Sequence, residues 1–100
     1  MPYYVIARER STNWNWDLPM RRQAEWEAHA AYMDELAAQR FILAGGPLGG
    51  EDAAKTVLHV VDAADVARVE ARLAQDPWTT MGLLRTVSID EWTILLGGFI

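Results

Sequence analysis

Few side chains in this sequence can move a proton near neutral pH, and one of them sits in an unexpected place. In AEWEAHAAYM, Ala24 to Met33, helical spacing puts Trp26, His29, Ala30, Met33 and Leu36 on one face. An imidazole at the edge of an apolar stripe has two readings. One is a core histidine satisfied by a single hydrogen bond. The other is an acid/base group looking into a pocket, because histidine can take and return a proton within one cycle. Arg22 lies two turns earlier on the same face. It could hold an anionic group of a substrate, or it could be a solvated arginine beside Arg21.

The other candidates are weaker. His59, between Leu58 and Val60, has no recognisable partner and reads as structural. AGGPLGG lacks the lysine and the following helix of a phosphate loop, so it reads as a turn. Trp14, Trp16, Trp26, Trp78 and Trp92 could be ordinary core. Five tryptophans in so short a chain also suit an aromatic-lined cavity, and Trp14 and Trp16, within STNWNWDLP, look like its lid or rim. Two histidines without characteristic spacing do not suggest a metal site, and no dinucleotide fingerprint is present. The expectation is a site without metal or cofactor.

Composition narrows the class. One hundred residues make a single domain, here taken as residues 1–100. The hydrophobic share of 51% is high for that size and suggests apolar surface left for a partner subunit. A net charge of −5 with no basic stripe gives nucleic acid no electrostatic footing. The absence of cysteine excludes disulfides, thiolate nucleophiles and cysteine metal sites. MPYYVIARER does not read as a signal peptide, and no segment approaches the length of a membrane span. A cytoplasmic protein is the default expectation, with a small molecule as its partner.

These residues need elements to hold them. Tyr3 to Arg8 reads as a strand. After a polar connection, Asp17 and Pro19 suit the first turn of a helix running to about Arg40. RFILAGGPL reads as a second strand broken by Gly45, Gly46 and Pro47, GGED as a turn, and KTVLHVV as a third strand. Asp62 is the expected cap of a second helix, with Asp65 in its first turn and Val66, Val69 and Leu73 at helical spacing. Pro77 must end that helix at Asp76. Thr86 to Leu96 reads as a long final strand, with Asp90-Glu91 as a candidate bulge.

The order strand, helix, strand, strand, helix, strand predicts an α+β fold. It fits a ferredoxin-like βαββαβ antiparallel sheet with two helices on one face. Val57, Val60 and Val61, and then Ile94, Leu95 and Leu96, put apolar residues on both faces of the sheet. A second copy of the chain is the simplest cover for the helix-free face, so a homodimer or higher homo-oligomer is expected.

AHAAYMDELAAQRFILAGGPL followed by DPWTTMGLLRTVSIDEW resembles the YCII-related family of small dimeric α/β-barrel proteins. The matching positions are His29, Gly46-Pro47, Asp76-Pro77-Trp78, Gly82-Leu83 and Trp92. Trp78 stands where the family pattern has phenylalanine, and NWNW is unlike it. The resemblance implies a His29–Asp76 pair as the active centre, with a carboxylate on the far ring nitrogen fixing the tautomer and favouring the imidazolium. Asp76 could otherwise be a helix-end residue that simply precedes a proline, although its charge is wrong for a C-terminal end. Arg22, Trp14, Trp16, Trp26 and Trp78 would bind substrate. The implied activity is cofactor-independent proton transfer, ending in elimination or isomerisation, on a small cyclic or hydroxylated aromatic molecule. A non-catalytic ligand-binding module and a cofactor-free monooxygenase remain alternatives, because fold does not decide among them.

Overall fold

The computed structural model describes residues 2–99; Met1 and Ile100, the ends of the expected domain, lie outside the described residues. Strand β1 is Tyr3–Arg10, two residues longer than its apolar stretch suggested. Its residues alternate strictly between inside and outside, so Tyr4, Ile6, Arg8 and Arg10 point into the protein. Helix α1 is Trp26–Ala38, β2 is Ile42–Leu48 and β3 is Thr56–Asp62. Helix α2 is Val66–Ala74, the four-residue α3 is Pro77–Thr80, and β4 is Leu84–Trp92. All strand pairs are antiparallel and the sheet order is β2-β3-β1-β4, the ferredoxin-like arrangement.

Helices α1 and α2 cover the inner face. Leu36 of α1 and Val69 and Leu73 of α2 pack on Tyr4, Ile6, Ile42 and Val61 of the sheet. A second apolar cluster joins Trp14, Val57, Trp78, Leu83 and Leu84 at the other end of that face. The outer face carries Val5 and Ala7 of β1 beside Leu58 and Val60 of β3, all partly exposed. No described helix is long and apolar enough to cross a membrane.

Several boundaries differ from those the sequence suggests. Helix α1 does not open at Asp17 and Pro19. The buried Gln23 amide donates to the Asn15 and Leu18 carbonyls and accepts from Asn15 N–H, folding the connection around itself. Met20–Arg22 forms only a 3-10 turn, and Glu25, at φ 58°, cannot continue it, so the helix begins at Trp26. At the other end Phe41 N–H bonds to Leu36 O and Arg40 N–H to Ala37 O, with Arg40 at φ 61°. This is a Schellman closure, and Phe41 and Leu36 meet in the core.

Strand β2 is not broken by Gly45, Gly46 and Pro47, which pair with His59, Leu58 and Val57. As an edge strand, β2 tolerates a proline that a central strand would not. The turn follows the strand, running from Gly49 to Ala53, with Gly49 and Gly50 at φ 104° and 106°. The cap of α2 is Asp65, which accepts from Arg68 N–H, while Asp62 ends β3. Strand β4 stops at Trp92, so Ile94, Leu95 and Leu96 are not part of a strand, and Leu95 and Leu96 are exposed. Its irregularity falls at Val87, opposite Ala7 and Arg8, rather than at Asp90-Glu91.

Candidate active site

Asp76 lies at the joint between α2 and α3. Helix α2 closes on Gln75, and Pro77 starts α3 with Asp76 extended before it. One carboxylate oxygen, Oδ1, accepts from Trp78 N–H at 3.0 Å, so Asp76 is the N-cap of α3. The expected mismatch with the C-terminal end of α2 is therefore resolved: the charge sits at a helix N-terminus, where it is favourable.

The same carboxylate is fully buried and joins two further elements. Arg8 of β1 donates from Nη1 to Oδ2 at 2.9 Å, and neither side chain is exposed. His29 of α1 places Nδ1 at 2.8 Å from Oδ1. An ionised carboxylate only accepts, so Nδ1 carries the hydrogen and Nε2 is left for other work. Burial alone would raise the pKa of Asp76. The hydrogen bond and charge of His29, with those of Arg8, outweigh burial and hold the carboxyl below its usual range. Arg8 is itself fixed from behind: Nη2 donates to Thr79 Oγ1, which donates to Leu73 O at 2.7 Å.

Aromatic rings set the plane of His29. The imidazole stacks on Trp78 at 3.8 Å between centroids and 8° between planes. Trp78 is held by its indole N–H, which donates to Ala24 O at 2.7 Å, and by Trp14, edge-on at 5.1 Å. His29 and Trp78 form part of the wall of a cavity of about 300 Å³ between α1, β2 and β3. Met20, Trp26, Met33, Ile42, Val57 and Leu84 make most of the lining apolar. Its polar groups are His29, His59, Arg10 and Asp34. A mostly apolar cavity with a few polar groups has the character of a small-molecule site.

The structure brings His29, Asp76, Trp26 and Trp78 together. Trp14 is buried behind Trp78, beneath the Arg10 guanidinium at 4.2 Å, and does not line the cavity. Trp16 is 53% exposed and is also outside it. Arg22 is exposed in the 3-10 turn and does not reach the cavity, because the helix that would have aligned it with His29 begins four residues later. A lid built from Trp14 and Trp16 is thus absent from the described cavity wall.

Near this centre the sequence reading passed over Arg8 and Arg10 and took His59 as structural, yet a signal for all three was present. Arg8 and Arg10 follow Tyr4 and Ile6 at two-residue spacing, which puts both guanidiniums on the buried face of β1. His59 follows the same rule between Val57 and Val61 in β3. Both of its ring nitrogens are buried without a partner among the described residues. Burial lowers its pKa to about 4, helped by the charges of Arg8 and His29 and opposed by Asp76. No group of three His, Cys, Asp or Glu among the described residues could hold a metal ion.

Comparison with known proteins adds a family. The YCII-related domain model matches residues 1–93. The chain belongs to the YCII-related family. Among solved structures, this YCII-related protein is similar to 5-chloro-2-hydroxyhydroquinone dehydrochlorinase (TftG) from Burkholderia phenoliruptrix AC1100, determined in complex with 2,5-dihydroxybenzoquinone. The TM-score is 0.66 at 23% identity, over 90% of this chain and 93% of that one, which establishes a shared fold. A Chloroflexus aurantiacus J-10-fl protein, provisionally named as an antibiotic biosynthesis monooxygenase, aligns over 98% of this chain and 96% of its own. Its identity is 19% and its TM-score 0.39, too loose a likeness to carry an argument. No curated protein matches the sequence.

Two expected outcomes follow from these charges. Arg8→Met should destabilise the protein by about 3–5 kcal/mol in urea unfolding, because it leaves the Asp76 carboxylate buried without its permanent cation. A midpoint close to wild type would show that Arg8 is dispensable. The second outcome is a pH dependence. Below pH 6.5 the unfolded chain protonates His59, whereas the folded chain resists until about pH 4. The stability contributed by this neutral imidazole is complete above that window and is lost as pH falls through it, by roughly 3 kcal/mol at most. Asp76, whose pKa lies below the usual carboxylate range, loses its contribution only at lower pH. Between pH 7 and 4.5, His59→Phe should therefore lose less stability than wild type, and parallel losses would count against the assignment.

Proposed function

We propose that this YCII-related protein is a cofactor-independent enzyme that uses His29 and Asp76 to move a proton on a small hydroxylated ring, in an elimination of the lyase type. The observation that carries this reading is the 2.8 Å contact of His29 Nδ1 with Asp76, made by an imidazole that also lines the cavity. In the proposed reaction Nε2 accepts a proton from the ring or one of its hydroxyls. The ring reacts as its keto tautomer, whose carbon bearing the leaving group has taken up one hydroxyl proton and is tetrahedral. The electron pair left behind therefore moves through the ring, and the leaving group departs from that carbon with its bonding pair as an anion, giving a quinone. Asp76 remains ionised throughout and stabilises the imidazolium, which then returns its proton to solvent.

Trp26 and Trp78 supply the apolar walls against which such a ring would lie. The choice of a hydroxylated aromatic as substrate class follows the YCII-related resemblance and the name of the Burkholderia enzyme. Halogenated hydroquinones are the first compounds to assay. If the pair acts as one unit, His29→Gln and Asp76→Asn should each remove most of the turnover, and the double variant should lose little more. Turnover at the wild-type level in His29→Gln would refute the assignment. Oxygen uptake during turnover would favour a monooxygenase, and saturable binding without turnover would favour a binding module.

The working form is proposed to be a cytoplasmic homodimer. Val5, Ala7, Leu58 and Val60 form a contiguous apolar patch on the helix-free face of the two central strands. Pairing these patches across a two-fold axis would close two sheets into one barrel-like body. Sedimentation at micromolar concentration should give twice the 11.3 kDa chain mass, and Val60→Asp should reduce it to one. A wild-type protein that sediments as a single chain would exclude this assembly.

A further inference from the structure

His59 has no role in the proton transfer just described, yet its position is not that of a packing residue. It is held on β3, in the middle of the inner face, opposite Ile6 of β1 and Gly45 of β2. It lines the same cavity as His29. Neither ring nitrogen bonds to any described protein group, although both are buried. Buried polar side chains are almost always satisfied, so one that is not requires a reason. An apolar residue of similar size would fill this place without leaving two polar atoms unmatched.

The surrounding backbone accommodates this ring in particular. A Cβ on Gly45 would lie 2.7 Å from His59 Nδ1 and 3.1 Å from Leu58 O. Glycine at that position therefore leaves the imidazole room. The charged and titratable groups that act on His59 are Arg8 and His29, which disfavour its protonation, and Asp76, which favours it. Burial, with Arg8 and His29, outweighs Asp76 and keeps the ring neutral near pH 7. A neutral imidazole offers one donor and one acceptor. That pair suits a hydroxyl or a carbonyl oxygen and suits a phosphate or carboxylate poorly.

We propose that His59 is a second substrate-contacting residue, which hydrogen-bonds an oxygen substituent of the ring other than the one near His29, so that the cavity selects small rings bearing at least two oxygens. The inference rests on the reading of His29 and the cavity as the substrate site, and it makes His59 a determinant of specificity rather than of proton transfer. The apolar lining between the two imidazoles would hold the ring carbons, and each histidine would meet one polar edge.

Calorimetric titration with phenol, catechol, resorcinol and hydroquinone tests this directly. At least one of the three dihydroxybenzenes should bind wild type about 10-fold or more tightly than phenol, the gain expected of one well-made buried hydrogen bond. In His59→Phe the ratio of dihydroxybenzene to phenol affinity should fall to about 2-fold or less, whatever the affinity for phenol itself. His59→Gln, which keeps hydrogen-bonding capacity, should retain part of the preference. Wild-type protein gives a readout independent of any variant's folding: the imidazole nitrogen signals of His59 should shift with the preferred dihydroxybenzene and not with phenol. Equal affinity for all four rings, or a preference that survives in both variants with unmoved His59 signals, would overturn this inference and leave the His29–Asp76 reading standing. Failure of wild type to bind any of the rings would overturn the ring-substrate reading, and this inference with it.

Discussion

A carboxylate with no exposure to water constrains the rest of this molecule. Asp76 can remain ionised there only if protein groups replace its hydration, and three elements supply them: Arg8 from β1, His29 from α1 and the Trp78 amide from α3. Each contact fixes an element as well as a charge. The sheet, the first helix and the α2–α3 joint all meet at this side chain. Because guanidinium does not release its proton in proteins, Arg8 gives Asp76 a constant partner whatever His29 is doing. In the proposed reaction, the aspartate is thus suited to hold charge steady beside an imidazole that takes up a proton.

The outline of the fold and the core of the site were legible in the sequence because both depend on periodicity. Two-residue alternation in YYVIARER and TVLHVVD reports the inner face of β1 and β3 directly. Applied consistently, it also marks Arg8, Arg10 and His59 as inward-facing. The pairing of His29 with Asp76 was reached only through family resemblance, since nothing local in either segment reports a contact 47 residues apart. What escaped were tertiary decisions. The start of α1 is set by the amide of Gln23 binding its own connection. The continuity of β2 through Gly-Gly-Pro is set by its place at the sheet edge. Ile94 to Leu96 has strand composition but lies beyond the end of β4.

The two histidines show how environment separates identical side chains. His29 has a carboxylate on one nitrogen and an indole plane beneath its ring, so its tautomer and orientation are both fixed. His59 shares the cavity but has no such partner, and the charge of His29 works against its own protonation. One imidazole is tied to a carboxylate, and the other is kept neutral by its burial. In the proposed reading, a cavity with both offers a guest a proton acceptor at one place and an uncharged hydrogen-bonding group at another.

The missing side chain at Gly45 also bears on how this protein could diverge. Because a single added carbon would collide with the ring at position 59, the two sites are not free to vary alone. A lineage that acquired alanine at position 45 would be under pressure to replace His59 by something smaller. One that lost His59 would release position 45 from the requirement for glycine, as far as that collision goes. Residues 45 and 59 are therefore expected to change together. Chains that keep glycine and histidine together, and chains that have exchanged both, would be expected to bind different guests within the same fold.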